Sequence, residues 1–449
     1  MSERELFGPI FAPDELLRAV GDHAWLQAML DAEAALARAQ AGAGMISVSD
    51  ADAIASVCDA SRFDPAGLGR DGRAAGNPVV PLVKALTAEV PGEASRQVHR
   101  GATSQDINDT AAMLVCSRAL DLILADLDAL AAACAGLAQT HRDTLMAGRT
   151  LMQQALPITF GLKAAEWLTQ IVDARSYLSR IRHERLAVQL GGAAGTLASL
   201  GGKGTQILAS FVRELDLAEP VTPWHTTRGR VAELGGALAV CAGAVEKVAR
   251  DVILMAQTEV GEVAEPAGEG RGGSSTLPHK RNPILCVTAA AGARRARASA
   301  QTLQSAMDHE HERAAGAWHS EWQALTDALT AAGGAVSAVR ETLSGLEVYP
   351  RRMRENLDAT GGMILAENVT TILSGALGRL RAHELVQAAC QRVAREGGDL
   401  REELLAEEEI RESITGEELD SALDPAGYLG SAGDFVDRAL RHYEKGEAT

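Results

Sequence analysis

An all-α fold is what this sequence predicts, on three observations. Of 449 residues 46% are apolar but only 3% aromatic, and the alternating β-branched and aromatic runs of half-buried strands are nearly absent. Ala, Leu, Glu and Arg, all good helix formers, supply much of the chain. Between Met113 and Cys134, the residues Met113, Cys116, Leu120, Ile123, Leu127, Leu130 and Cys134 step by three and four with no Gly or Pro among them. That spacing is a bundle-type seam on a helix of about six turns.

Taken in order, the chain up to about Arg100 is broken by Gly and Pro, as in DPAGLGRDGRAAGNPVVP (64–81), and reads as short helices and loops. Beyond the seam helix, the proline-free stretches 162–189, 230–259, 284–307 and 318–346 read as further long helices. Such helices need long neighbours to bury their faces, which predicts a central bundle. From Tyr349-Pro350 onward the pieces are shorter and amphipathic, and Thr415 with Glu418 fits a capping box. Three regions follow: 1–110, 111–348 and 349–449.

Charge and cysteine usage narrow the class. Lys and Arg number 43 against 60 Asp and Glu, a net charge of −17, which argues against a nucleic-acid partner. Six cysteines without a CxxC pair fit reduced thiols. No basic-then-apolar leader opens the sequence, and no uninterrupted apolar run approaches about eighteen residues. The expectation is a cytoplasmic protein with no membrane partner.

Two glycine clusters imitate nucleotide motifs. Gly268–Gly273 satisfies GxGxxG by letter, but polar residues precede it and Pro278 and Pro283 follow, so it lacks the strand and helix that give the fingerprint force. GGKGT at 201–205 lacks the Lys-Ser/Thr adjacency of a P-loop. In DHEHER (308–313) His309 and His311 stand two apart, pointing in different directions on a helix, so a metal set is not expected. With Trp318, His319 and Trp322 that stretch either lines a polar pocket or is a solvated charged turn.

Three separated stretches are rich in donors that suit a carboxylate. HRGATSQD (99–106) offers Thr103, Ser104 and the N–H groups of a helix start, an anion site or an ordinary N-cap. GRTLMQQ (148–154) offers Arg149, Thr150 and Gln153 for a polyanion, or as caps. GEGRGGSSTLPHKRNP (268–283) combines glycines that permit movement with Ser274, Ser275, Lys280 and Asn282, and two prolines stiffen its far half. It suits a lid closing over an anion better than a linker.

GSSTLPHKRNP (273–283) resembles the signature GSSxMPxKxNP of the fumarase/aspartase/argininosuccinate lyase superfamily, with Leu277 in place of the usual Met. HRGATSQDINDT (99–110) and GRTLMQQALPITFG (148–161) resemble its other two shared regions, in order. The resemblance continues through PWHTTRGR (223–230), EHERAAGAWHSEW (310–322) and LDPAGYLG (423–430), and is strongest to the superfamily's cycloisomerase branch. It implies a homotetramer with a twenty-helix core, active sites assembled from three subunits, a polycarboxylate substrate, and neither metal nor organic cofactor. Residue by residue it implies that Ser274, on the mobile loop 267–283, transfers the proton, with Ser275 as the alternative. Lys280 and Asn282 would hold one substrate carboxylate, and Thr103 and Ser104 another. His99, Arg149, Thr150 and Gln153 fall in the same matched regions as substrate contacts. Two departures bear on the reaction. Arg228-Gly-Arg230 stands where related chains tend to have Arg-Asp-Arg. Amine-releasing relatives carry a histidine after GRT, whereas this chain carries Leu151. An amine needs a proton as it departs, a general-acid contribution of about 10²–10⁴ in rate, but a carboxylate of pKa about 4 leaves as the anion. The implied reaction is therefore closure of a carboxymuconate to its lactone. Expulsion of another good leaving group, such as nitrite from a substituted succinate, satisfies the same logic.

Overall fold

The computed structural model describes residues 6–447 except 269–271, 274–276 and 278. The chain forms two compact units. One takes the chain up to Ala129 with Asp173–Ala249 and Leu285–Arg340; the other takes Leu130–Val172, Arg250–Ile284 and everything from Glu341 onward.

All five expected long helices are present. The seam lies in the helix α2 (Ser104–Thr140), preceded by α1 (Asp22–Gly42), and all seven seam residues are buried, none more than 1% exposed. Burying side chains of this size contributes about 1.5–3 kcal/mol each. The others are α3 (Phe160–Arg180), α4 (Gly229–Met255), α5 (Ile284–Ser305) and α6 (Ala317–Ser344). Within the first unit the long helices approach closely through small residues. A Cβ added to Gly292 of α5 would lie 3.0 Å from Ala331 O of α6, and one on Gly333 of α6 would lie 2.8 Å from Ile123 Cγ1 of α2.

The structure departs from the sequence reading in three places. The N-terminal region is not all short pieces, because α1 runs 21 residues and packs on Val48–Ala55 and Gly204–Leu215. Its Ala-rich stretch has no internal glycine or proline, a local signal overshadowed by the breakers after it. The second departure is α3, which gives way at Arg180 to a π turn, Ile181–Arg185. Beyond that turn Val188 N donates to Ala218 O at 3.2 Å and Ala218 N donates to Leu186 O at 2.8 Å. A tertiary pairing ends this helix, and nothing in the local sequence announces it.

The third departure is a β-hairpin between the helices α2 and α3. Strands β1 (Leu145–Thr150) and β2 (Gln153–Thr159) pair antiparallel, Thr150 opposite Gln153, with Leu151 and Met152 forming the two-residue turn. Both turn residues have positive φ, 49° and 69°. That is the geometry for which Asn-Gly is the usual signal, so Leu-Met conceals it. A shorter pair joins β3 (Val263–Ala264) to β4 (Glu347–Val348).

Near the C-terminus of the second unit, Val369, Leu373, Leu385, Val386, Leu400 and Leu419 share a core. The capping box is present: Glu418 N donates to Thr415 Oγ1 at 3.2 Å and Thr415 N to Glu418 Oε2 at 2.9 Å. Among the described residues no helix is long and apolar enough to cross a membrane.

Candidate active site

In the first unit, Thr103 and Ser104 stand at the start of α2, both half-buried. Buried Asp106 fixes that start. Its Oδ1 accepts from His225 Nε2 at 2.7 Å and Gly191 N at 2.9 Å, and its Oδ2 accepts from Thr103 N and Gly192 N, each at 2.9 Å. Four donors on one carboxylate tie Gly191, Gly192 and His225 to the helix start and hold the Thr103 backbone in place.

One turn on, Asp109 takes the Arg228 guanidinium at 2.7 and 3.1 Å and the Trp318 indole N–H at 2.9 Å. Glu321 grips the other edge of Arg228, and all three charged side chains are no more than 4% exposed. Burial opposes the Arg228 cation, but Asp109 and Glu321 outweigh it and raise its pKa. Burial pushes the Glu321 carboxyl up, with Arg228 opposing it. His309, whose imidazole is shielded from solvent beside Glu321, is held below its ordinary pKa by burial and by Arg228. Arg313 joins the same cluster, donating to Gln105 Oε1 and Ala193 O at 2.9 Å each. His309, Arg313 and Trp318 thus join the polar cluster behind the start of α2, while Asp308, Glu310, His311 and Glu312 are exposed, so the stretch divides between the two alternatives. Among the described residues no three of His, Cys, Asp and Glu gather as a metal set.

His99 sits at φ 57° with Nδ1 2.6 Å from Oε1 of Glu33, a residue of α1 that is 1% exposed. Burial disfavours its imidazolium, yet Glu33 and Asp106 more than compensate, so its pKa lies above the ordinary value. Nothing in the sequence marked Glu33, one carboxylate inside an Ala-rich helix face.

In the second unit, the β1–β2 hairpin presents Thr150 and Gln153 exposed at its tip, with Leu151 96% and Met152 70% exposed. Arg149 is committed to fully buried Glu262 by two hydrogen bonds, 3.0 and 2.7 Å, and Asn356 Nδ2 donates to the same carboxylate at 2.9 Å. Its contacts make Arg149 an anchor of the hairpin.

The described parts of the signature loop form a clasp. Asn282 donates to Gly272 O through both backbone N, 2.8 Å, and side-chain Nδ2, 3.0 Å. Gly272 has φ 63°, and a Cβ there would meet Asn282 O at 2.6 Å, so glycine is required. Arg281 bonds to Glu347 at 2.7 and 3.2 Å, and with Tyr349 it holds the Glu347 carboxyl down to about 2. The Lys280 side chain is exposed between these anchors. Ser274 and Ser275 lie outside the described residues.

His225, Asp106, Asp109 and Arg228 were inside quoted motifs but had no assigned role. Glu262 and Asn356 carried no signal, because their partners are far away in sequence.

The lyase family model matches residues 11–297, and the adenylosuccinate lyase C-terminus model matches 362–439. A 3-carboxy-cis,cis-muconate cycloisomerase of Bradyrhizobium diazoefficiens is 45% identical over 98% of both chains. A nitrosuccinate lyase of Streptomyces davaonensis is 46% identical over 97% of this chain and 94% of its own. The crystal structure of 3-carboxy-cis,cis-muconate lactonizing enzyme from Pseudomonas putida superposes with a TM-score of 0.94 at 42% identity, covering 99% of this chain and 100% of that one. The chain belongs to the lyase family, within the fumarase/aspartase superfamily.

Proposed function

We propose that the protein closes 3-carboxy-cis,cis-muconate reversibly to 4-carboxymuconolactone, a step of protocatechuate breakdown. One carboxylate of the curled substrate adds to the conjugated double bond, and negative charge collects on the neighbouring carboxyl group as an enediolate. A proton then adds at carbon. Holding the substrate curled turns the addition into an intramolecular near-contact reaction. Lys280, Asn282, Thr103 and Ser104 stabilise the charge that develops, which is where fixed donors contribute most. Ser274 delivers the proton, with Ser275 the alternative, and needs no metal or organic cofactor. The Arg149–Glu262 pair orients the hairpin that carries Thr150 and Gln153, and Glu33 orients His99.

Leu151 carries this reading. At the tip of the hairpin stands an exposed apolar side chain with no proton to give. A departing amine would need that proton, whereas a departing carboxylate does not. Incubating the purified protein with carboxymuconate should give loss of its ultraviolet absorbance and formation of lactone. The identity to the Streptomyces enzyme favours one rival, nitrite expulsion from nitrosuccinate. Nitrite release from that compound without lactone formation from carboxymuconate would replace the first reading by the second.

A homotetramer whose sites each draw on three subunits fits the exposed apolar positions on the long helices: Val240 is 55%, Ile284 42% and Val287 44% exposed. Six free cysteine thiols fit the cytoplasm.

A further inference from the structure

A solvent-facing cavity of about 270 Å³ lies in the first unit, lined by Arg185, Val221, Thr222, Trp224, Thr227, Gly229 and Arg230. None of these carries a carboxylate, two carry guanidinium groups and two carry hydroxyls. The mechanism proposed above uses none of them.

Arg230 is the informative member. Its Nη1 donates to Arg185 O at 2.6 Å and its guanidinium lies 5.0 Å from the centroid of the Trp224 ring. Trp224 is itself pinned by an indole bond to Val188 O at 2.8 Å, and Arg228 covers it at 4.6 Å. The cation is thus held in one place before any ligand arrives, which lowers the ordering cost of binding. Glu233, the nearby acid, is taken by Arg185 through two bonds. Among the described residues no carboxylate pairs with Arg230. Burial, Arg185 and Arg228 hold its pKa down to about 10 against the opposing charge of Glu233, so it stays charged at neutral pH while no carboxylate bonds to it directly. Gly229 adds room: a Cβ there would meet nothing within 4 Å. The first turn of α4, which begins here, contains no acid.

We infer that this cavity binds a small anion with two or more charged oxygens, a phosphate or a short polycarboxylate, between Arg230 and the Thr222 and Thr227 hydroxyls. The anion supplies the directly bonded partner that Glu233, taken by Arg185, does not give Arg230.

The test is calorimetric titration of the full-length protein with inorganic phosphate and, separately, with citrate, at ionic strength held constant with sodium chloride. Saturable binding is expected, and which anion binds more tightly identifies the source of the charge. Arg230→Gln should weaken it about tenfold or more, the usual consequence of losing a charge-assisted bond. Gly229→Asp should do the same by placing a carboxylate in the open space. Its fold should be unharmed, since that space is empty and an acid suits a helix start. Lys280→Ala should retain the binding component that Arg230→Gln removes, since any anion held at the active site would be lost with Lys280 instead. The inference fails if no saturation is reached, or if Gly229→Asp binds like the wild type. It also fails if Lys280→Ala abolishes the titration, because the anion would then occupy the active site. None of these outcomes depends on which reaction the enzyme catalyses.

Discussion

The start of α2 and the signature loop both serve substrate carboxylates in the proposed mechanism, yet they are built in opposite ways. The side chains of Asp106, Asp109, Arg228 and Glu321 are buried and bonded to partners distant in sequence. At the loop, Lys280 is exposed, and the described anchors are the Gly272–Asn282 clasp and the Arg281–Glu347 pair. The first construction fixes donors by cross-linking them. The second keeps a cation available on a segment held at its feet. Substitutions in the first region should therefore cost stability, and substitutions in the second should cost turnover.

The largest effect should come from Arg228→Met. Removing that guanidinium leaves Asp109 and Glu321 buried and facing each other without a cation, a situation that costs about 3–5 kcal/mol. Urea unfolding should show the loss as a lower midpoint. A change under about 1 kcal/mol would mean that the cluster relaxes or hydrates, and the contrast between the two regions would collapse. Lys280→Ala is the complementary test. Turnover should fall about 10²–10³-fold, the usual effect of deleting a donor to developing negative charge, while stability should stay within about 0.5 kcal/mol, as for other exposed positions. Comparable losses of stability and turnover would show that Lys280 is a structural residue.

The same contrast explains what was legible in sequence. Periodicity is a local property, so α2 and its seam from Met113 to Cys134 could be read directly, as could the capping box at Thr415. Motifs are local too, which placed Thr103, Lys280 and Asn282 in candidate roles. Long-range partnership is not local. Glu33 meets His99 across 66 positions, and Arg149 meets Glu262 across 113. No spacing rule joins such pairs. The hairpin was hidden for a different reason, since its turn uses residues that a turn of that geometry normally avoids.

The Glu33–His99 pair yields a smaller, pH-dependent effect. Its folded pKa is raised above the ordinary value near 6.5. The folded state therefore holds a proton that the unfolded chain has already released in the window just above 6.5. The stabilisation is fully present below pH 6.5 and is lost as pH rises through the folded value. Glu33→Gln should flatten that fall in a stability-versus-pH series and lower stability at pH 6. An unchanged slope would mean that another group carries it.

The smallest effect concerns the hairpin tip, where the separation of stability from turnover meets its sharpest case. Met152 is 70% exposed at φ 69°, so its side chain gains little burial and its backbone occupies a region that costs an L-residue about 1–2 kcal/mol. Met152→Gly removes the Cβ that creates the cost. Glycine also gives the unfolded chain more freedom, which offsets part of the gain. The expected net change is stabilisation of up to about 1 kcal/mol, read as a small rise in the urea midpoint. If that rise comes with unchanged turnover, the strain at Met152 is a by-product of packing. If turnover falls as the protein becomes more stable, the Leu151-Met152 turn is held in its costly conformation because catalysis needs it there, and strain belongs beside Lys280 as a functional feature.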